Sequence, residues 1–85
     1  MRRAVQHYSR AATIEAENGR HHLRLGLALL YTGETEAALD HLARSTDLEP
    51  ARAAAWTAYS QALLQQREVD RALVAAQRAA RLGPE

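Results

Sequence analysis

Four histidines, no cysteine and a scatter of arginines and carboxylates are what this 85-residue chain offers for chemistry. His7 and His41 stand 34 residues apart, and His21 and His22 are neighbours. Two metal ligands on one helix face need a spacing of i, i+3 or i, i+4, and no histidine pair has it. With no thiolate to help, no metal site and no cofactor are expected. Nucleophilic catalysis fares no better. Ser9, Ser45, Ser60 and the threonines lack a neighbouring glycine elbow, and the four glycines form no phosphate-cradling loop. Glu34, Glu36 and Asp40 fall at the start of a helix and early in it, where the helix dipole accounts for acidic residues. The chain reads as a non-enzyme, with no catalytic residues assigned.

Composition says which elements are available to hold any site. Nineteen alanines and twelve leucines make up most of the 47% hydrophobic fraction, against four β-branched Val and Ile and no Phe. Ala and Leu favour helices, and strands favour β-branched and aromatic residues, so the fold class is all-α and the length allows one domain, 1–85. All eleven basic residues are Arg, and ten acidic ones leave a net charge of +1. That balance argues against nucleic acid as a partner. Arg67, Arg71, Arg78 and Arg81 make the last helix mildly basic, but Glu68 and Asp70 interrupt it and no aromatic is interleaved, so a solvated face is expected. No apolar run approaches the ~18 residues of a membrane span and no signal-peptide core is visible. A cytoplasmic protein with no membrane partner is the expectation.

The chain repeats itself. Offset by 34, residues 19–50 lie over 53–84 with nine identities, among them Ala28/Ala62, Leu29/Leu63, Leu30/Leu64, Ala38/Ala72, Leu39/Leu73 and Pro50/Pro84. A further shift sets Ala4 on Ala38, Val5 on Leu39 and Tyr8 on Leu42, so the chain is half a repeat followed by two whole ones. Each unit has two apolar stripes at helical spacing, such as Leu23, Gly26, Leu27, Leu30 and then Ala38, Leu39, Leu42, Ser45, Thr46. Thr32-Gly33 and Pro50 punctuate them, and Asn18 is a good N-cap. Five helices are predicted, near 2–16, 19–32, 35–48, 53–66 and 69–82.

This 34-residue unit resembles the tetratricopeptide repeat (TPR). Leu25-Gly26, Gly33, Ala38, Leu42, Ser45 and Pro50 hold its signature places in the first full unit, with His22 where Trp is usual. Trp56, Tyr59, Ser60, Leu63, Ala72, Ala76, Ala79 and Pro84 hold them in the second. Leu29 and Leu63 replace the usual Tyr, and Arg67 the turn glycine. The resemblance implies antiparallel helix pairs in a right-handed superhelical solenoid, divided as 2–16, 19–52 and 53–85. Gly26, Ser60, Ala38 and Ala72 would be small where helices cross closely, and Trp56, Leu42, Tyr8 and Leu63 would fill the gaps between helices.

The resemblance also implies a binding module that takes a partner's peptide or helix in a concave groove lined by the first helix of each repeat. Carried over by register, the groove-facing residues are Arg20, Leu23, Arg24, Leu27, Leu30 and Tyr31, with Thr57, Gln61 and Gln65 from the second unit. Leu23, Leu27 and Leu30 either face that groove or pack against the helix of the half-repeat. Arg20 and Arg24 have the i, i+4 spacing of the basic pair with which some TPR domains clamp a C-terminal carboxylate. Thr57 and Gln61 bring no charge, so a complete clamp is not expected, and a weaker preference for an acidic or C-terminal peptide is left open. A second reading follows from the ends. Val5, Tyr8 and Ile14 at one end, and Val69, Leu73, Val74, Ala76 and Ala80 at the other, lack neighbours; either homo-oligomerisation supplies them or the chain is a piece of a longer repeat array.

Overall fold

A computed structural model describes residues 2–83. It contains five helices: α1 (Arg2–Ile14), α2 (Gly19–Tyr31), α3 (Thr35–Leu48), α4 (Ala53–Gln65) and α5 (Val69–Leu82). There is no strand among the described residues. The chain measures 31 × 24 × 17 Å along its principal axes. Pro84, one of the residues in repeat register, lies outside the described residues.

Helix ends follow local chemistry. The Asn18 side chain accepts a hydrogen bond from the backbone N–H of Arg20 at 3.0 Å, satisfying a donor that the first turn of α2 leaves without a partner. α1 ends at Ile14, two residues short of the expected Ala16, as the chain turns through residues 15–17. The carbonyl of Ala16 is held at this turn by the His22 ring rather than by a further helical turn. α2 and α4 each stop one residue before their expected ends, and both turns are alike. Glu34 N–H reaches back to Leu29 O, and Glu68 N–H to Leu63 O, each at 2.9 Å. This five-residue return needs a left-handed residue before it. Gly33 supplies it with φ 83°, and Arg67 occupies the same place with φ 61°.

Consecutive helices pack pairwise, and α2 also touches α4, whereas α1, α3 and α5 do not touch one another. The first helices of the two repeats are therefore close and the second helices are splayed apart, which curves the stack with α2 and α4 on its inner side. Gly26 sets the closeness of α2 and α3, since a Cβ there would lie 2.5 Å from Leu42 Cγ. Leu42 and Ala38 are completely buried. One core cluster joins Ala12 of α1, Leu23, Leu25 and Leu29 of α2, Ala38 and Leu42 of α3, and Ala55, Ala58 and Ala62 of α4. A second joins Leu63 to Ala72 and Ala75 of α5, with Trp56 and Tyr59 packed against it. α4 is thus two-faced: its alanines close on the first repeat, and its large side chains close on α5.

Polar groups in this interior are matched. Ser45, completely buried, donates to Gly19 O at 2.9 Å, and Trp56 Nε1 donates to Pro50 O at 2.9 Å. No buried side-chain polar atom among the described residues lacks a partner.

Candidate binding surface

The inner side of the curved stack brings together most of the residues expected to line a groove. Leu27, Leu30 and Tyr31 of α2 and Gln61 and Gln65 of α4 surround one cavity of about 240 Å³. Tyr31, 80% exposed, forms its open edge. Leu27 and Leu30 are half-buried, with their inner sides against the core cluster. Gln65 Oε1 accepts from the Thr35 hydroxyl at 3.0 Å, which ties its side chain across to α3. Thr57 lies on a second groove, of about 630 Å³, where Leu27 and Gln61 meet Ala58 of α4 and Ala76 and Ala80 of α5.

Leu23 does not face the groove. It is 8% exposed and belongs to the core cluster, against which Val5 and Tyr8 of α1 also pack. Of the two positions open to it, the packed one is realised, because α1 covers this end of α2. Arg20 and Arg24 are exposed on α2, but neither lines a cavity with the other groove residues.

The histidines meet in an arrangement that spacing along the chain concealed. His41 is paired with His22 across α2 and α3, Nδ1 to Nδ1 at 3.1 Å, with the rings stacked at 5.3 Å. His7 instead sits edge-on to Tyr8 at 5.5 Å. Because the Ala16 carbonyl can only accept, His22 Nε2 is the donor in their 2.8 Å hydrogen bond. In the tautomer with its proton on Nε2, His22 Nδ1 can accept from His41 Nδ1–H. Burial, the neighbouring His22 and, less strongly, Arg44 hold the His41 pKa below its usual value, against a smaller opposing pull from Asp40. No group of three or more metal-ligating side chains occurs among the described residues. The signal for this pair was the register itself: His22 replaces the tryptophan equivalent to Trp56, so its new partner had to lie on the facing helix.

Two arginines of α5 are engaged locally. Arg71 bonds Glu68 Oε2 at 2.9 Å and the Tyr59 hydroxyl at 2.8 Å, and Arg78 lies over the Trp56 ring at 5.1 Å. No described helix is long and apolar enough to cross a membrane.

Paired helices curving around an inner surface of α2 and α4 define a TPR-like helical-repeat fold. Among solved structures the chain is similar to MamA MSR-1 C2, from a TPR-containing protein, with a TM-score of 0.84 and 25% sequence identity over 93% of this chain and 45% of that one. It therefore spans less than half the length of that chain. No model of a protein family matches the sequence, and no curated protein matches it.

Proposed function

We propose that this chain is a non-catalytic interaction module that binds a partner's peptide or helix on the inner surface of its TPR-like stack. The observation that carries the reading is the cavity in which Leu27, Leu30, Tyr31, Gln61 and Gln65 converge. It combines apolar walls, an exposed aromatic and two amides, the chemistry that grips an extended peptide by one apolar side chain and its backbone. Arg20 and Arg24, exposed on the same helix, favour an acidic segment or a C-terminal carboxylate beside that anchor. Thr57 extends the surface toward α5. The likeness to a TPR-containing protein supports a scaffold role of this general kind.

The test is selection of peptides from a random library on the purified chain, followed by titration with variants. Tyr31→Ala, at an exposed position, is expected to weaken the selected peptides about tenfold, with helicity and melting temperature unchanged. Arg20→Glu with Arg24→Glu is expected to weaken acidic peptides more than neutral ones, and raising salt should erase that difference. Selected peptides indifferent to all three substitutions would sink the reading. A second reading, self-assembly, draws on the exposure of Ile14 at one end and of Val69, Leu73 and Val74 at the other. Light scattering over a wide concentration range separates the two: a mass that stays at 9.4 kDa favours peptide binding, and a stable larger species favours assembly.

A further inference from the structure

The pair formed by His22 and His41 takes no part in the inner surface. His22 is 2% exposed on α2 and His41 is half-buried on α3, and neither lines the cavity of Leu27, Leu30, Tyr31, Gln61 and Gln65. The other two histidines are engaged separately. His21 Nε2 lies 2.7 Å from Glu15 Oε1, and His7 sits edge-on to Tyr8. Only His22 and His41 bring ring nitrogen to ring nitrogen, and they do so from two different helices.

Three measurements fix how the rings meet. Nδ1 faces Nδ1 at 3.1 Å, the ring centres are 5.3 Å apart, and the ring planes are parallel to within 16°. The distance between centres nearly equals the nitrogen separation plus two ring radii, so both nitrogens lie close to the line joining the centres. An imidazole nitrogen directs its lone pair or its N–H radially outward in the ring plane, and each Nδ1 is therefore aimed at the other. The Ala16 carbonyl, 2.8 Å from His22 Nε2, holds the proton on that nitrogen and leaves His22 Nδ1 bare. A backbone carbonyl on the far nitrogen is also what fixes the tautomer and orientation of a metal-bound imidazole.

We propose that His22 and His41 form a two-coordinate site for a monovalent d10 cation, copper(I) in a cell, held in line between the two Nδ1 atoms. Two nitrogens opposed on one axis match the linear coordination of such an ion, and imidazole is a common copper ligand. Zinc seeks four ligands, and no third metal-ligating side chain joins the pair among the described residues. Metal–imidazole bonds of about 2 Å set the two nitrogens about 4 Å apart, and the half-buried His41 ring supplies the movement. On binding, the His22 Nδ1 lone pair takes one side of the ion. The His41 proton passes from Nδ1 to Nε2 through water, which frees the lone pair for the other side. Both rings stay neutral, no proton is released, and the complex carries the single charge of the ion. One hydrogen bond between α2 and α3 is thereby replaced by two coordinate bonds. The second repeat, with Trp56 and Ala75 at the equivalent places, holds neither ligand. The inference goes beyond the peptide-binding reading and shares no residue with its cavities.

The probe is silver(I), which shares the charge and linear preference of copper(I) and undergoes no redox chemistry here, titrated into the full chain in chloride-free buffer. Saturation at one ion per chain is expected, with the ring-nitrogen resonances of His22 and His41 shifting together and those of His7 and His21 unmoved. At a hundredfold excess over Kd the melting temperature should rise by about 10 °C. His41→Ala should weaken binding about tenfold or more, whereas His7→Ala and His21→Ala should leave it unchanged. X-ray absorption of the copper(I) complex of the unmodified chain, prepared without oxygen, should show two nitrogen neighbours in line, a readout that does not depend on any variant folding. Absence of saturation up to about 100 μM ion, binding indifferent to His41→Ala, or shifts confined to His7 or His21 overturns the proposal. So does a copper coordination number of three or more, or zinc(II) binding as tightly as silver(I).

Discussion

Residues 19–50 and 53–83 are built on one plan, yet the same position does different work in each. Leu42 is completely buried between α2, α3 and α4, and its counterpart Ala76 lies on an open groove. His22 faces His41, where the second repeat has Trp56 and Ala75. Gly33 makes the turn in one hairpin and Arg67 makes it in the other. Stacking explains the first difference: a repeat position is core only if another helix lies over it. Within a solenoid, burial belongs to the neighbour as much as to the residue.

The sharpest break of this equivalence is a truncation made at matched positions. Leu42→Ala removes a completely buried side chain from a close-packed junction beside Gly26, and should cost about 3 kcal/mol, a large part of the stability of a domain this small. Leu73→Ala, at 57% exposure, should change stability by no more than about 0.5 kcal/mol. Urea unfolding of the two variants measures the contrast directly, and equal losses would mean that the α5 face is covered in solution. Ala38→Asp, at another completely buried site, goes further by burying a charge without a partner, and no cooperative unfolding transition should survive it.

The histidine pair tests the comparison through pH. His41 has its folded-state pKa lowered, first by burial, then by His22 and Arg44, with Asp40 opposing. The unfolded chain therefore takes up the proton more readily than the folded one between the lowered value and 6.5. The stabilisation is fully present above the unfolded value, and falls as pH drops below 6.5 toward the folded value. Importing the second repeat's solution as His22→Trp with His41→Ala should flatten this dependence. Chemical denaturation at a series of pH values across this window reads it, and an unchanged slope in the double variant would assign the dependence elsewhere.

Much of this was legible in the sequence, and the gaps have physical causes. The five helices, the Asn18 cap and the close approach at Gly26 follow from periodicity and residue size, which are local. Helix ends at Ile14, Tyr31 and Gln65 differ by one or two residues from expectation because turn geometry decides them, through the hydrogen bond from His22 to Ala16 and the paired returns to Leu29 and Leu63. The groove was legible in part. Leu27, Leu30, Tyr31, Gln61 and Gln65 do converge, whereas Leu23 is buried, because α1 covers it and periodicity on α2 alone does not reveal which apolar residue a neighbouring helix takes. The His22–His41 contact was missed for a related reason. Ligand-type spacing is counted along one helix, and this pair is made between two.

The smallest expected effect concerns the turn residue. Arg67 adopts a left-handed backbone in which its Cβ crowds the following carbonyl, at a cost of about 1 kcal/mol. Glycine escapes that crowding but loses more freedom on folding, which returns about half of the gain. Arg67→Gly should therefore raise stability by about 0.5 kcal/mol, and Gly33→Ala should lower it by a similar amount, although an added Cβ at residue 33 would meet nothing within 4 Å. The two substitutions have opposite signs at equivalent places in equivalent turns, so their sum is less informative than their difference. Thermal melts of both, referred to the unmodified chain, would confirm that the turns share one conformation if the signs oppose. A loss of stability in Arg67→Gly would instead show that the arginine side chain itself contributes to the second hairpin by more than its backbone strain.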